Sequence, residues 1–260
     1  MAQYLLQASY ANLYKQYCIK QRGIVVNMRL ALPCVAVMLF VGAGIAQTRS
    51  QNSYQNFLLS EFKLFNVSAK EAIYKGRKSF KITMPSKLYQ DPQKEALTDR
   101  PNLAWVPLDF HNGTIECDVA AVLSDNAPDY ARGFIGIGFR IDHKLNFEGL
   151  YLRPVNSRVD DQVRRNHSVQ YFSLPGYGFD RLRQEFPERY ESYADIDLGE
   201  WIHMKIEVNQ NVARLYVNNM KQPALIVNDL KLGSGQRGGV GFWLESGTTG
   251  YFSNLNIEMD

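Results

Sequence analysis

The segment WIHMKIEVNQNVARLYV, residues Trp201–Val217, decides the fold class of this chain. Apolar and polar side chains alternate through its first half: Ile202, Met204, Ile206 and Val208 are apolar, and His203, Lys205 and Glu207 are polar. Because successive side chains of a strand point to opposite faces, this alternation is typical of a β-strand with one buried and one solvent-facing side. After a short polar turn, Val212–Val217 predicts a further strand.

The same alternation recurs along much of the chain. Further predicted strands are Thr114–Val122, Phe134–Ile141, Gly149–Arg153, Ala224–Val227, Val240–Leu244 and Tyr251–Ile257. Half-buried strands joined by short links are typical of an antiparallel β-sandwich that is polar on its outer faces. No linker or shift in composition divides residues 50–260. The sequence therefore predicts an all-β fold, in a single domain that spans residues 47–260.

A long polar excursion interrupts the strands between Pro154 and Asp197. One helix is predicted inside it, because apolar residues recur there at spacings of three and four: Phe179, Leu182, Phe186 and Tyr190. Pro187 would break or kink this helix. Long loops in compact domains are often functional, so the excursion is a candidate lid over a binding site.

The composition is that of an ordinary globular protein, with 45% hydrophobic and 21% charged residues among 260. It excludes a disordered chain, a collagen-like repeat and a multi-span membrane protein. The net charge of +3 arises in residues 1–46, which carry four basic side chains and no acid. The other 25 basic and 26 acidic residues nearly cancel. A neutral body argues against nucleic acid as a partner.

Residues 28–46 have the pattern of a secretory signal peptide. Arg29 precedes an apolar stretch from Leu30 to about Ile45, and Ala46 supplies a small residue for cleavage before Gln47. An uncleaved anchor and a buried helix are the alternatives, although the stretch is short for a membrane span. We expect residues 1–46 to form a leader that is absent from the mature chain. The signal peptide spans about residues 28–46, Met28 is the expected start of translation, and residues 1–27 lie upstream of that start. We expect the mature chain to have no membrane span.

The cysteine content agrees with export from a bacterial cell, because secreted proteins without disulfides are common in bacteria. Cys18 and Cys34 lie in or before the leader, so the mature chain retains Cys117 alone. It can form no intrachain disulfide and no thiolate metal site.

Several sequence blocks occur in an order that resembles a known superfamily. They are TIECDV, GIGFR, YLRP, QYF, GEWIHMKIEV with NVARLYVNN, GGVGFW and YFSNLNI, between Glu61 and Met259. This order is similar to that of concanavalin A-like lectins and glucanases, and within them to laminin-G-like domains and bacterial secreted 3-keto-disaccharide hydrolase-like domains. The resemblance implies a jelly-roll sandwich whose concave sheet receives glycans. It specifies fold better than activity, because one sandwich hosts many functions.

The acidic pair Glu116 and Asp118 is the first catalytic candidate. Retaining glucanases of the resembled superfamily carry Glu-x-Asp-x-(x)-Glu on one strand, and the last Glu is their acid/base. Here Val119-Ala120-Ala121 follows, so the second catalytic glutamate is missing. The alternative is a pair of solvent-facing acids. If the chain is an enzyme of the 3-keto-disaccharide hydrolase-like type, its acid and base would be among Glu116, Asp118, Glu148 and His167.

A dense polar cluster between Tyr151 and Tyr171 is the candidate binding site. Guanidinium and amide groups beside tyrosine suit sugar hydroxyls, which need paired donors and acceptors and an aromatic platform. By strand parity, Arg140, Tyr151 and Arg153 are predicted to share a face with Glu116 and Asp118. The predicted floor and wall of the site are Arg140, Tyr151, Arg153, Gln170 and Trp243, and Asn156, Arg158, Gln162, Arg165, Asn166 and His167. A salt-bridged surface loop is the alternative.

Two strands contain similar glycine patterns, and one turn resembles a calcium loop. Gly136–Arg140 and Gly239–Trp243 are close copies whose glycines leave room for a ligand or for another strand. Calcium is frequent in the resembled superfamily, and Asp142, Asn146 and Glu148 are the nearest approach to a calcium loop; we otherwise expect no cofactor.

Three functions follow as hypotheses. The first is a secreted carbohydrate-binding β-sandwich, the second a glycoside hydrolase, and the third a laminin-G-like adhesion module with a protein partner.

Overall fold

The computed structural model describes residues 52–260, so the predicted leader lies outside the described residues. The strands are β1 (Asn52–Tyr54), β2 (Lys63–Phe65), β3 (Ser68–Tyr74), β4 (Arg77–Thr83), β5 (Leu103–Phe110), β6 (Gly113–Leu123), β7 (Ile135–Ile141), β8 (Phe147–Leu152), β9 (Val169–Leu174), β10 (Glu191–Ser192), β11 (Ile202–Asn209), β12 (Val212–Val217), β13 (Leu225–Val227), β14 (Gly238–Leu244) and β15 (Thr248–Met259). Short 3₁₀ helices cover Leu59–Glu61 and Ser86–Leu88.

These strands form two antiparallel sheets. Sheet A has the order β13-β12-β11-β6-β15-β4-β3, with β1 added to β15. Sheet B has the order β10-β9-β8-β7-β14-β5-β2. The antiparallel β-sandwich predicted from the sequence is therefore confirmed.

The alternation in β11 explains how sheet A contributes to the core. Ile202, Met204 and Ile206 are buried, and they lie opposite Val119, Cys117 and Ile115 of β6. Burying each such side chain contributes roughly 1.5–3 kcal/mol. The two sheets meet where Phe242 of β14 stacks on Phe252 of β15, with ring centroids 4.3 Å apart.

Sheet B differs from the prediction of polar outer faces. Every residue of β7 and β8 is buried, so these strands are covered on both sides. The segment Gln90–Asn102 lies over the outer face, where the indole of Trp243 donates a hydrogen bond to the Arg100 carbonyl at 2.7 Å. This cover was not predicted, because residues 90–102 have no regular pattern of apolar and polar side chains.

Glycine explains how large rings fit under that cover. Trp243 and Tyr151 flank Gly136 on the neighbouring strands, and their rings approach to 4.6 Å between centroids. Phe172, beside Gly149, joins them. The space that the glycines leave is thus filled by the protein's own aromatic side chains.

The excursion after β8 contains three short helices: α1 (Pro154–Ser157), α2 (Gln162–Asn166) and α3 (Phe179–Glu185). Helix α3 is the predicted one, and it ends before Pro187 as expected. Helices α1 and α2 were missed, because each spans about one turn and carries no apolar repeat. Within residues 52–260, no helix is long and apolar enough to cross a membrane.

The close packing around Gly136 predicts that a larger residue there destabilises the fold. A Cβ at Gly136 would come within 2.4 Å of the Tyr151 Cβ and 2.3 Å of the Leu150 carbonyl oxygen. We expect Gly136→Ala to lower the free energy of unfolding by about 1–3 kcal/mol or more, because the overlap forces β7 and β8 apart. Urea denaturation measures the change. Gly235→Ala is the control, since nothing lies within 4 Å of a Cβ there. Equal midpoints for both variants would contradict the packing argument.

Candidate functional site

A cavity of about 300 Å³ lies over the outer face of sheet B. Its lining combines aromatic rings with charged and amide groups. The lining residues are Gln90, Leu97, Thr98, Asp99, Tyr130, Arg132, Phe134, Tyr151, Arg153, Asn156, Arg164, His167, Phe179, Arg183 and Glu245. They come from the covering segment, the connection between β6 and β7, strand β8 and the connection after it with α1 and α2, helix α3, and the end of β14. We call this space the Asp99 cavity.

Arg153 lies at the floor of the Asp99 cavity. It follows the last residue of β8 and is 4% exposed. Its guanidinium donates to the Tyr151 hydroxyl at 2.5 Å and to the Gln170 side-chain oxygen at 3.1 Å. It also pairs with Glu191 at 3.4 Å. The planar guanidinium is thus fixed in one orientation, as recognition of hydroxyl or carboxylate groups requires.

Glu191 lies beneath the cavity and holds three cationic or titratable groups together. It accepts from Arg183 and Arg153, and His167 Nε2 lies 3.5 Å from its carboxylate. Burial lowers the pKa of His167, an effect that the Glu191 carboxylate opposes. A neutral imidazole can donate or accept a hydrogen bond, so His167 can serve either role toward a ligand.

Asp99 is the acidic group of the cavity floor. One carboxylate oxygen accepts the backbone N–H of Phe179 at 2.7 Å. Burial raises the pKa of Asp99 to about 7, although the charge of Arg153 and hydrogen bonds from Phe179 and Tyr151 act in the opposite direction. Near neutral pH the group therefore exists in both protonation states. A strongly shifted carboxyl in a cavity is a common property of functional sites.

Phe179 supplies an aromatic wall. The Arg153 and Arg183 guanidinium groups each lie 5.3 Å from its ring centroid. The ring is half-buried, and the hydrogen bond from its backbone to Asp99 fixes the start of α3 against the covering segment. Phe134 forms part of another wall, 6.0 Å from the Arg153 guanidinium.

These groups can bind a small polar ligand with flat apolar faces. Aromatic rings stack on such faces, whereas guanidinium, carboxyl and amide groups satisfy hydroxyl groups around them. The volume lies at the lower end of the range of small-molecule sites, about 300–1,000 Å³. The cavity therefore suits a compact, hydroxyl-rich ligand.

Four residues predicted as a site do line the cavity: Tyr151, Arg153, Asn156 and His167. Tyr151 and Arg153 reach it from the predicted face of β8. Asn156 belongs to α1, and His167 directly follows α2. The prediction of a lid also has a counterpart, because α3 contributes Phe179 and Arg183.

The predicted floor residues Arg140, Gln170 and Trp243 do not line this cavity. Arg140 is fully buried, and its guanidinium donates to the backbone carbonyls of His111, Gly233 and Gln210, which ties three connections together. Gln170 and Trp243 are also fully buried, under the cavity lining. Parity placed these side chains on a face but could not show that other residues cover it.

The predicted wall residues Arg158, Gln162, Arg165 and Asn166 do not line the cavity. Arg158 pairs with Asp195 and Asp197 on the surface. Gln162 donates to Asn166 at 2.7 Å, and the Arg165 guanidinium lies over a tyrosine ring, that of Tyr193. The polar loop is largely a salt-bridged surface, which was the alternative reading of this segment.

The expectation that Glu116 and Asp118 share a face with Tyr151 was also wrong. They belong to β6 of sheet A, whereas Tyr151 belongs to sheet B, so the two sets lie on opposite outer faces. Asp118 accepts from His203 at 2.8 Å and from Arg77 at 2.6 Å. Period 2 gives the face of a strand within its own sheet and does not assign strands to sheets.

Glu148 is likewise remote from the cavity lining. It is fully buried and accepts from the Tyr171 hydroxyl at 2.5 Å and from the Leu232 N–H at 2.8 Å. Burial raises the pKa of Glu148. Its role in the structure is to hold the connection after β13 against β9.

The sequence analysis did not identify four lining residues of the cavity as site residues: Asp99, Phe179, Arg183 and Glu245. Glu245 accepts from Arg100 at 3.0 Å and from Asn102 at 2.8 Å, which fastens the covering segment to the end of β14. The compact run Thr98-Asp99-Arg100-Pro101-Asn102 was the available signal, because it places polar groups directly before a buried strand.

The calcium hypothesis receives no support from the described residues. Among residues 52–260, no group of three or more His, Cys, Asp or Glu side chains could hold a metal ion. Asp142 instead caps its own turn by accepting from the backbone N–H groups of Lys144 and Asn146.

The sequence matches no protein-family model and no curated protein. Several solved structures are similar in architecture. One is the carbohydrate-binding module CBM66 from Bacillus subtilis, with 14% identity, a TM-score of 0.46, and coverage of 75% of this chain and 96% of that one. A Bacillus subtilis protein of unknown function with a galectin-like fold has 13% identity, a TM-score of 0.47, and coverage of 77% and 90%. A putative glycosyl hydrolase from Parabacteroides distasonis has 11% identity, a TM-score of 0.44, and coverage of 79% and 93%. Similarities at this level concern the fold.

The raised pKa of Asp99 predicts how the free energy of unfolding changes with pH. Its pKa is higher in the folded protein than the ordinary 3.8, so the folded state holds this proton between about pH 4 and 7 and the unfolded state does not. The contribution of Asp99 to stability is therefore greatest at about pH 4 and is lost as the pH rises through 7. We expect Asp99→Asn to flatten the decline of the unfolding free energy by on the order of a few kcal/mol over this window. Urea denaturation of both proteins from pH 4 to 8 tests this, and parallel curves would contradict it.

Proposed function

We propose that the protein binds carbohydrate in the Asp99 cavity. The observation that carries the proposal is the combination, in one cavity, of the half-buried Phe179 and Phe134 rings with the fixed guanidinium groups of Arg153 and Arg183. A sugar ring has apolar C–H faces and an edge of hydroxyl groups, so it needs both kinds of contact at once.

The fixed orientation of the polar groups supports this proposal. Arg153 and Arg183 are held by Glu191, and Asp99 is held by the Phe179 backbone. A ligand would therefore meet donors and acceptors whose side-chain entropy is already reduced, which lowers the cost of binding. Hydroxyl groups can donate to Asp99 and accept from Arg153, because a hydroxyl has both functions.

Hydrolysis of the bound glycan is a second candidate function, and Asp99 favours it. A carboxyl with a pKa of about 7 can act as a general acid near neutral pH, and His167 lies in the same cavity. In this alternative the acid is Asp99 rather than Glu116, Asp118 or Glu148.

We further propose that the protein is exported by a bacterial cell. The basic residue and apolar stretch of residues 28–46 support this proposal. A glycan ligand would then be extracellular or periplasmic.

The binding proposal predicts the effect of changing the aromatic wall. We expect Phe179→Leu to weaken binding of a glycan hit by about tenfold, because leucine keeps apolar bulk but removes the ring face. A glycan array identifies the hit, and isothermal titration calorimetry measures its dissociation constant. Trp201→Leu is the matched control on the outer face of sheet A, where Trp201 packs on Tyr74 and Arg77. A loss caused by Trp201→Leu alone would place binding on the opposite face, and an array without hits would favour a protein partner.

Turnover separates the two candidate functions. Overnight incubation of the protein with a glycan that it binds, followed by mass spectrometry, should leave the glycan intact if the protein is a binding module. If the glycan is cleaved, Asp99→Asn should reduce the rate by about 100-fold or more while binding remains measurable. Cleavage that Asp99→Asn leaves unchanged would exclude Asp99 as the acid.

A further inference from the structure

The Asp99 cavity has an excess of positive charge on its lining. Four arginines line it, together with the two carboxyl groups of Asp99 and Glu245. His167 is the one further titratable cation of the lining, and burial lowers its pKa, which favours the neutral form. The distribution of ion pairs decides which of the four arginines remain available to a ligand.

The two inner arginines are neutralised from below. Arg153 and Arg183 both pair with Glu191, which lies beneath the lining, and Arg153 also interacts with Asp99. Glu245 is compensated by Arg100, at 3.0 Å. The inner part of the cavity therefore carries little net charge.

Arg132 and Arg164, which we call the rim arginines, have no paired acid of this kind among the described residues, and the charge of Asp129 acts on Arg132 only from beyond salt-bridge distance. Both are half-buried lining residues, and within residues 52–260 neither forms an ion pair with an acid. The Arg132 guanidinium donates to the backbone carbonyls of Asp129 and Ala131, which use only Nη1. The other donors of Arg132 and the whole guanidinium of Arg164 remain available.

We propose that the rim arginines bind the carboxylate of an acidic sugar, so that the cavity selects glycans that contain a uronic acid. This inference rests on the proposed carbohydrate function and names its ligand class. The sugar ring would occupy the space beside Phe179 and Phe134, and the carboxylate would lie between Arg132 and Arg164.

The chemistry of the rim supports a carboxylate. Guanidinium groups present parallel N–H donors that match the two oxygens of a carboxylate, and such charged hydrogen bonds are stronger than neutral ones. Burial, and then the charges of Arg164 and Arg153, lower the pKa of Arg132. A bound anion would relieve this mutual repulsion.

The carboxyl group of Asp99 limits the charge that the cavity accepts. It lines the same space as the rim arginines, so its ionised form would repel a dianion such as a phosphate monoester more strongly than a monoanion. A single negative charge on an otherwise hydroxyl-rich ligand fits this arrangement best. That combination describes a uronate.

The test compares an acidic sugar with its uncharged copy. Galacturonic and glucuronic acid, as monosaccharides and short oligomers, are titrated into the protein by calorimetry beside their methyl esters, which keep the shape and lose the charge. We expect each acid to bind about tenfold or more tightly than its ester, with an affinity that falls as salt rises.

Three arginine variants complete the test. We expect Arg132→Gln and Arg164→Gln each to weaken acid binding by about tenfold and to leave ester binding unchanged. Arg214→Gln is the control, because it removes the same charge from a half-buried position on the outer face of sheet A. Its affinity for the acid should equal that of the unaltered protein.

The outcomes distinguish this inference from the proposed function. Equal affinity for acids, esters and neutral sugars, unaffected by the rim variants, would overturn the uronate inference and leave carbohydrate binding intact. Binding of acetate or citrate as tightly as the uronates would overturn it in favour of a carboxylate site without sugar recognition. If no sugar of either kind binds, both the inference and the proposed function fail.

Discussion

The burial of the Arg153 guanidinium is the constraint on which the cavity depends. A charge that is 4% exposed must be paired and hydrogen-bonded, or its desolvation would destabilise the fold. Arg153 meets this requirement with Glu191, Gln170 and the Tyr151 hydroxyl. These partners come from β8, β9 and β10, which are neighbours in sheet B. The pairing of three strands and the position of one charge are therefore mutually dependent.

The same constraint connects the sheet to the segments that cover it. Glu191 also binds Arg183 of α3, and α3 begins at the hydrogen bond between the Phe179 N–H and Asp99. Asp99 belongs to the covering segment, which Glu245 fastens through Arg100 and Asn102. A continuous network of polar contacts thus runs from the sheet edge to the end of β14. It surrounds the cavity on several sides and leaves its centre open.

The fold was predictable because it depends on local alternation. The pattern of β11 identifies one buried and one open face, and the same alternation located β7 and β8, although both faces of those strands are covered. The cover on sheet B was not predictable, because Gln90–Asn102 has no periodicity and is held by contacts such as Trp243 to Arg100, which are 143 residues apart in sequence. The candidate site was predicted in part for the same reason. Tyr151 and Arg153 lie on a strand and its end, whereas Asp99 reaches them only through tertiary structure.

The cavity is built partly from strands and partly from connections, so its specificity can change without a change in the sheets. Tyr151 belongs to β8 and Arg153 directly follows this strand, so the sheet fixes their positions. Arg132 precedes β7 and Arg164 lies on α2, both in connections on the surface. A substitution at either position leaves the interface between the sheets unchanged. Related sequences could therefore vary the charge around the cavity through changes in one connection at a time, while the sandwich and its aromatic residues are inherited intact.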